Sequence, residues 1–144
     1  MAHSILVVDD EPNIVLSLEF LMKKAGYDVR TAVDGEEAMQ AIRAAPPSLI
    51  LLDINIPKIN GYEICESVRG SKEWCGIRIV MITAKGRDIE REKGLAMGAD
   101  DYITKPFATQ EVVDKVREIL GEGGNNENTK TKPGGGNAER VPTG

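Results

Sequence analysis

The stretch LILLD, Leu49–Asp53, is an unbroken apolar run that ends in a carboxylate. Apolar side chains at successive positions, without the alternation of a half-exposed strand, are typical of a parallel strand covered on both faces. Two prolines precede the run, and a loop with proline and glycine follows it. The stretch therefore predicts a central buried strand that carries Asp53 to one edge of a sheet.

Four other apolar runs share this pattern of a short strand followed by a helical stretch. The predicted strands cover residues 5–8, 29–33, 49–52, 77–82 and 102–103. The predicted helices cover residues 13–25, 35–45, 62–69, 87–97 and 109–120. Strands that alternate with helices of about 10 to 15 residues indicate a parallel sheet covered by helices on both faces. The sequence therefore predicts an α/β fold with five parallel strands and five helices.

Residues that favour helix ends mark several of the predicted boundaries. Pro12 stands where a helix accepts proline, in its first turn. We expect Asp34 to cap the second helix, because a short acceptor side chain there satisfies a free backbone N–H. Gly26 and Gly98 follow the first and fourth helices and are predicted to end them.

The charged residues are distributed unevenly along the chain. Positions 1–120 carry 20 acidic and 15 basic residues, whereas 121–144 carry three of each, so the net charge of −5 belongs to the first segment. A mildly acidic body without a basic stripe argues against direct binding of nucleic acid. We expect neither a signal peptide nor a membrane span, which needs about 18 apolar residues. The interpretation is a cytoplasmic protein with reduced thiols at Cys65 and Cys75.

Residues 121–144 differ from the rest of the chain in composition. Seven of these 24 residues are glycine, and only Ala138 and Val141 are apolar. Such a segment buries too little surface to offset the entropy lost on ordering. We therefore predict a domain of residues 1–120, followed by a flexible tail or a truncated linker. Whether the chain is complete or is cut within that linker stays open.

Polar residues follow four of the five predicted strands. They are Asp9 and Asp10 after the first strand, Asp53 after the third, Thr83 after the fourth and Lys105 after the fifth. In open α/β sheets, ligands bind outside the carboxyl ends of the strands, where the strand order reverses. These five residues are therefore expected to form one site, although they are far apart in the sequence.

The chemistry of these residue types points to a metal and a phosphoryl group. Three neighbouring carboxylates repel one another, and a hard divalent cation such as Mg²⁺ relieves the repulsion. A carboxylate can also act as a nucleophile toward phosphorus and form an aspartyl phosphate. Lys105 could then neutralise one phosphoryl oxygen, and the hydroxyl of Thr83 could donate a hydrogen bond to another.

Four motifs resemble those of the receiver domains of two-component response regulators. They are VVDDEP at 7–12, LLDINIPKINGYEI at 51–64, MITAKG at 81–86 and GADDYITKPF at 98–107. The resemblance extends over roughly residues 4–120, and the motifs stand in the order of the family. It implies a flavodoxin-like, doubly wound sheet with the strand order 2-1-3-4-5.

The resemblance also implies roles for residues around the third strand. Asp53 would be the phosphoacceptor, which takes a phosphoryl group from the phosphohistidine of a sensor histidine kinase or from a phosphotransfer protein. Asp9, Asp10 and Asp53, with the backbone carbonyl of Asn55, would hold Mg²⁺ or Mn²⁺. The protein would then catalyse only its own phosphorylation and dephosphorylation and would not be an enzyme toward other substrates.

Further positions carry over to the fourth and fifth strands. Thr83 corresponds to the switch hydroxyl, Tyr102 to the switch aromatic and Lys105 to the phosphate-binding lysine, and the bond to Pro106 is expected to be cis. Phosphorylation is then expected to change the surface of the fourth helix, fifth strand and fifth helix. That surface would control a downstream effector protein or a missing output domain, and a homodimer through it is an open alternative.

Two other classes of protein compete with this interpretation. A haloacid-dehalogenase-like phosphatase also uses an aspartate nucleophile, a lysine and Mg²⁺, but it needs a second aspartate two residues after the nucleophile. Here Asn55 occupies that position and cannot act as the general acid. A phosphorylation-independent interaction module with a similar fold is disfavoured because all five expected site residues are present.

Overall fold

The computed structural model describes residues 3–84 and 86–121 and shows five strands alternating with five helices. The strands are β1 (Ser4–Val8), β2 (Asp28–Ala32), β3 (Leu49–Asp53), β4 (Arg78–Ala84) and β5 (Asp101–Lys105). The helices are α1 (Pro12–Lys24), α2 (Gly35–Ala44), α3 (Gly61–Arg69), α4 (Asp88–Ala96) and α5 (Thr109–Ile119). The whole sheet lies in one compact unit that ends at Val113, and a second unit begins at Asp114, within α5. The tail predicted for 121–144 lies, apart from Gly121, outside the described residues.

The five strands form one parallel sheet in the order β2-β1-β3-β4-β5. This confirms the predicted α/β fold and its strand order. The chain runs outward from β1 to β2 and then returns to β3 on the other side of β1, so the strand order reverses between β1 and β3. The carboxyl ends of these two strands therefore border the crevice where ligands bind in sheets of this kind.

Both faces of the central strands are buried. Leu6, Ile50 and Ile79 point into a core cluster that includes side chains of α2 and α3. The alternate positions Val7 and Leu51 are buried as well and lie outside that cluster. The buried side chains of α1, which packs on β1 and β2, also lie outside it. The unbroken apolar run of β3 is thus explained by helices on each side of the sheet.

Helix starts confirm two of the predicted boundaries. Pro12 is the first residue of α1, where its missing N–H costs no intrahelical hydrogen bond. The carboxylate of Asp34 accepts a hydrogen bond from the backbone N–H of Glu37 at 2.8 Å and caps α2. The side chain of Asn60 caps α3 through a reciprocal pair of hydrogen bonds with Glu63. These caps fix where the loops at the carboxyl edge of the sheet end.

The last two strands are longer than the sequence predicted. β4 extends to Ala84 and β5 covers five residues rather than two, so Thr83 and Lys105 lie within the strands. The ladder pairs Thr83 with Thr104 and Ala84 with Lys105. Pairing with a neighbouring strand thus holds polar residues that an apolar pattern does not assign to strands. The Lys105–Pro106 peptide bond is cis, as the resemblance implied.

Within the described residues, none of the helices has the length and apolar character that a membrane span requires.

Candidate functional site

Three carboxylates meet at the carboxyl edge of the sheet. Asp9 and Asp10 follow β1, and Asp53 is the last residue of the neighbouring β3. One oxygen from each of the three lies within 4.8 Å of the others. Asp9 is fully buried, Asp53 is 7% exposed, and Asp10 is open to solvent. The structure therefore brings together the three acidic residues that the sequence places after different strands.

The ammonium group of Lys105 lies against this cluster from the end of β5. Its Nζ is 3.3 Å from Asp53 Oδ2 and 3.0 Å from Asp9 Oδ2. It also donates a hydrogen bond of 2.6 Å to Glu11 Oε1. The lysine side chain is 20% exposed, so solvent screens these contacts only in part. A single cation here faces more negative charge than it can neutralise.

The surroundings of the cluster raise the pKa of two groups, Asp9 and Lys105. Burial raises the pKa of the Asp9 carboxyl, and the neighbouring charge of Asp53 adds to this. Hydrogen bonding from the backbone N–H of Glu11 and the contact with Lys105 offset part of the rise. Burial by itself lowers the pKa of Lys105, but the carboxylates of Glu11, Asp9 and Asp53 outweigh it and raise that pKa. The cluster favours added positive charge, whether as protons or as a cation.

The donor set at this edge fits a hard divalent cation. All the ligand atoms are carboxylate oxygens, which Mg²⁺ and Mn²⁺ prefer. The buried Asp9 Oδ2 faces Lys105 as an ion pair, but the two are not aligned as a hydrogen bond, and this oxygen accepts none among the described residues. An acceptor of this kind is costly to bury, and the Lys105 ammonium, 3.0 Å away, is the one cation among the described residues that offsets its charge. Over residues 3–84 and 86–121, no other group of three acidic, histidine or cysteine residues has this geometry.

The carboxylate of Asp53 is held at both oxygens. Oδ1 accepts a hydrogen bond from the backbone N–H of Asn55 at 3.1 Å, and Oδ2 accepts from Lys105. The backbone beside Asp53 is packed closely, because a Cβ atom at Gly61 would lie 2.9 Å from the Asp53 carbonyl oxygen. The side-chain amide of Asn55 points away from this carboxylate and donates to Glu90 Oε2 at 3.4 Å. Asp53 is therefore fixed in position, with its neighbouring loop anchored on α4.

Thr83 and Tyr102 occupy different levels of the sheet. Asp53 pairs with Ile82 across the β3–β4 ladder, so Thr83, the next residue, reaches the same edge and is 3% exposed. Tyr102 lies three residues before Lys105 and packs partly against the core. The guanidinium carbon of Arg91, on α4, lies 4.8 Å from the centre of the Tyr102 ring. Thr83 thus reaches the edge of the sheet where the carboxylates lie, whereas Tyr102 contacts α4.

Two residues of the site were missed by the sequence analysis. Glu11 contacts Lys105, although no role was predicted for it. Its place beside Asp9 and Asp10 in the chain was the one available signal. Glu90 contacts Asn55 from α4, and no motif marks it, because the contact depends on how that helix packs.

The comparisons with known proteins agree with this geometry. The sequence model of the response regulator receiver domain matches residues 5–117. The chain therefore belongs to the family of response regulator receiver domains. Such domains are regulators in two-component systems, and phosphorylation activates them.

Individual relatives support the assignment. The chain is 46% identical over 120 residues to the alkaline phosphatase synthesis transcriptional regulatory protein PhoP of Bacillus subtilis (strain 168), which covers 83% of this chain and 49% of PhoP. The chain thus spans about half the length of PhoP. A crystal structure described as a response regulator from Chloroflexus aurantiacus J-10-fl is similar, with a TM-score of 0.81 at 39% sequence identity. The match covers 84% of this chain and 99% of the chain in that structure. The structure of the chemotaxis response regulator CheY4 of Vibrio cholerae has a TM-score of 0.78 at 29% sequence identity. That match covers 83% of this chain and 100% of the CheY4 chain.

Proposed function

We propose that Asp53 accepts a phosphoryl group and that this chain is thereby switched between two states. The observation that carries the proposal is the meeting of Asp9, Asp10 and Asp53 within 4.8 Å, with Lys105 3.3 Å from Asp53 Oδ2. A carboxylate nucleophile next to a cation is what phosphoryl transfer to a side chain requires.

The transfer follows from the position of the Asp53 carboxylate. A carboxylate oxygen forms the bond to phosphorus, the bond from phosphorus to the histidine nitrogen of the donor breaks, and its electron pair leaves with the imidazole. Lys105 neutralises charge on the phosphoryl oxygens, and the hydroxyl of Thr83 donates a hydrogen bond to one of them. The N–H of Asn55 keeps the carboxylate oriented through the 3.1 Å hydrogen bond at Oδ1.

The same cluster would hold Mg²⁺ or Mn²⁺ through Asp9, Asp10, Asp53 and the backbone carbonyl of Asn55. When bound, the cation would supply charge neutralisation for the carboxylates and for the incoming phosphoryl oxygens. The raised pKa of Asp9 and its buried oxygen without an aligned hydrogen bond support this proposal.

The switch would act through Thr83 and Tyr102. Phosphorylation adds about −1.5 to −2 charges and three strong acceptor oxygens at Asp53. Thr83 would move toward these oxygens, and Tyr102 would turn into the space left behind. The surface of α4, β5 and α5 would then change its affinity for a partner, because the phosphoryl group binds one of two pre-existing states better.

The partners follow from the same scheme. The phosphoryl donor would be a sensor histidine kinase or a phosphotransfer protein in the cytoplasm. The recipient of the signal would be a downstream effector protein or an output domain, since relatives such as PhoP are about twice as long as the matched segment.

We propose residues 1–120 as the receiver domain and 121–144 as its tail or linker, with no direct contact to nucleic acid or membrane. A homodimer through α4, β5 and α5 is one form that the activated state could take.

We further propose that the chain is not an enzyme toward other substrates. A phosphatase with an aspartate nucleophile needs a general acid close to that nucleophile, and the amide of Asn55 cannot supply a proton. Its side chain also donates to Glu90, which supports a role in loop anchoring.

Phosphotransfer followed by intact-mass measurement tests the proposal. With Mg²⁺ and a phosphorylated kinase or a small acyl phosphate, the wild-type chain is expected to gain one phosphoryl group, and Asp53→Asn is expected to gain none. Asp28→Asn is the matched control, since Asp28 is an exposed aspartate at the start of β2, on the opposite edge of the sheet. Phosphorylation of Asp53→Asn at the wild-type level would sink the proposal.

A further inference from the structure

The loop between β3 and α3, residues 54–60, lies against the first residue of α2. The backbone N–H of Gly35 donates a hydrogen bond to the carbonyl oxygen of Pro57 at 3.1 Å. The carbonyl group of Ile59 is packed even more closely, because a Cβ atom built on Gly35 would lie 2.0 Å from its oxygen and 2.7 Å from its carbon. No side chain fits at that separation. Only glycine therefore allows the loop to approach this end of α2.

Lys58 lies between these two contacts in the chain and turns the loop. Its φ of 73° is in the left-handed region, which is unfavourable for a residue with a Cβ atom. Its ammonium nitrogen lies 3.6 Å from Asp34 Oδ2 and 3.4 Å from Glu36 Oε1, the residues on either side of Gly35. The side chain thus fastens the loop at the place where its backbone packs. We call the contacts that Gly35 and Lys58 make here the loop clasp.

The start of α2 is also connected to the carboxylate cluster. The backbone N–H of Asp9 donates to the carbonyl of Ala32 at 3.2 Å, three residues before Gly35. The carboxylate of Asp34 caps α2 through the N–H of Glu37, which fixes the first turn of the helix. The loop clasp therefore sets the loop against a segment that is itself hydrogen-bonded to Asp9.

The base of the loop is fixed at the end of β3. The backbone N–H of Gly61 donates to the carbonyl of Ile54 at 3.0 Å and closes the loop. The side chains of Ile54 and Ile56 are buried, whereas Asn55 between them is exposed. The backbone N–H of Asn55 donates to Asp53 Oδ1. The closed base and the loop clasp together determine where the backbone of Asn55 lies.

We propose that Gly35 is a positioning residue that, through the loop clasp, holds the backbone carbonyl of Asn55 at the proposed cation site. The inference rests on the proposed function, in which that carbonyl is a ligand of Mg²⁺. A backbone ligand cannot be adjusted by rotating a side chain, so its place depends on the path of the loop. Groups that orient metal ligands typically change the affinity about 10-fold to 100-fold when they are lost. Gly35 would thus act on the cation although it is not itself a ligand.

Gly35→Ala is expected to weaken Mg²⁺ binding about tenfold, because the added methyl group pushes residues 57–59 away from α2. The probe is Mg²⁺ itself, and calorimetric titration of the unphosphorylated protein, at a temperature where every variant is folded, gives its Kd.

Two substitutions of Lys58 test the same clasp from the loop side. Lys58→Ala and Lys58→Gly both remove the ammonium group, but only glycine adopts a φ of 73° freely. Lys58→Gly is therefore expected to bind Mg²⁺ about threefold more tightly than Lys58→Ala.

Two controls separate positioning from a loss of stability. Gly76→Ala adds a methyl group where nothing lies within 4 Å, so its Kd for Mg²⁺ should equal that of the wild type. Met22→Ala removes a buried side chain of α1, outside the core cluster that includes Ile54 and Ile56, and is expected to lower stability without changing the Kd. In the metal-free protein, the NMR signal of the Asn55 backbone amide is expected to shift in Gly35→Ala and in neither control.

Several outcomes would overturn the role of Gly35 while leaving the proposed function intact. They are a wild-type Kd for Mg²⁺ in Gly35→Ala, an equal loss of affinity in Met22→Ala, an unshifted Asn55 amide signal, or equal affinities in the two Lys58 variants. If Gly35→Ala does not fold, the two Lys58 variants decide. If the wild-type protein binds no Mg²⁺, the cation of the proposed function is lost, and the claim about Gly35 fails with it.

Discussion

The ammonium nitrogen of Lys105 lies 3.3 Å from Asp53 Oδ2, although 52 positions separate the two residues in the chain. β4 lies between their strands in the sheet, so the lysine side chain reaches past the end of a whole strand. The same nitrogen is 3.0 Å from Asp9 Oδ2. One cation thus links the carboxyl ends of β1, β3 and β5, and in the absence of metal it is the main group that offsets their charge.

Replacing Lys105 with methionine is expected to destabilise the metal-free protein by about 1 to 2 kcal/mol, because buried carboxylates lose their cation while solvent screens part of the effect. The pKa of Lys105 is raised in the folded state. Its contribution to the free energy of unfolding is therefore complete below the ordinary lysine pKa of about 10.4 and is lost only as the pH rises beyond that value. Urea denaturation at pH 7 measures the difference. Lys58→Met, at an exposed lysine with two acidic partners, is the control and should change little. Equal losses in both variants would contradict the assignment.

Asp9→Asn is expected to stabilise the metal-free protein at pH 7. The pKa of Asp9 is raised in the folded state, so ionising this carboxyl costs stability as the pH rises from its ordinary value of about 3.9 through the raised one. At pH 7 the whole cost is present, and the amide removes it; at low pH, where the carboxyl is protonated in both states, the two proteins should converge. Thermal unfolding across this range is the measurement. A variant less stable than the wild type at pH 7 would show that the ionised carboxylate supports the fold.

Added Mg²⁺ is expected to reverse that order. Because the metal binds only the folded state, the Tm of the wild-type protein is expected to rise with metal concentration. The Tm of Asp9→Asn should rise less, because its amide lacks the negative charge of the carboxylate ligand. Asp28→Asn, which lies at the other edge of the sheet, should respond as the wild type does. Equal responses from all three proteins would place the cation elsewhere.

Gly61→Ala is expected to reduce both stability and phosphorylation. A Cβ atom at this position would lie 2.8 Å from the Ile54 Cα and 2.9 Å from the Asp53 carbonyl oxygen, and both are backbone atoms. Overpacking of this kind typically costs about 1 to 3 kcal/mol and would shift the end of β3. Gly76→Ala is the matched control, because nothing lies within 4 Å of its Cβ position. Denaturation and the initial rate of phosphorylation together test this, and a fully active, equally stable Gly61→Ala would refute it.

Arg69 is expected to be a structural anchor outside the site. Its guanidinium donates to the carbonyls of Gly98 at 2.8 Å and Ile77 at 2.6 Å, and to the Asp100 carboxylate at 2.9 Å. Arg69→Lys keeps the charge but loses the forked set of guanidinium N–H donors. The partly buried carbonyls then lose their donors, and the free energy of unfolding is expected to fall by about 2 kcal/mol. Arg78→Lys, at an exposed arginine 3.7 Å from Asp100, should cost far less. Urea denaturation that finds the two variants equally stable would rule out this anchoring role.

Much of the fold was predictable because its signals are local. The run Leu49–Asp53 identifies a strand buried on both faces, and β3 has those limits. Pro12 and Asp34 mark helix starts through backbone chemistry that acts within one turn. The site was predictable because a topological rule places the carboxyl ends of parallel strands at one edge.

The rest depends on contacts between distant segments. β5 is longer than its apolar residues suggest, because pairing with β4 holds Thr104 and Lys105 in the ladder. Which of several nearby carboxylates binds Lys105 is decided by side-chain packing, so Glu11 was missed. The contact of Glu90 with Asn55 spans 35 positions and follows from the placement of α4, which no pattern in the sequence encodes.

The residue that carries the phosphoryl group can be identified chemically. After phosphorylation in the presence of Mg²⁺, reduction with borohydride converts an aspartyl phosphate into homoserine, which peptide mass mapping locates. If Asp53 is the phosphoacceptor, homoserine is expected at residue 53 and at no other position. Homoserine at Asp9 or Asp10, or a phosphorylated protein without any homoserine, would contradict it.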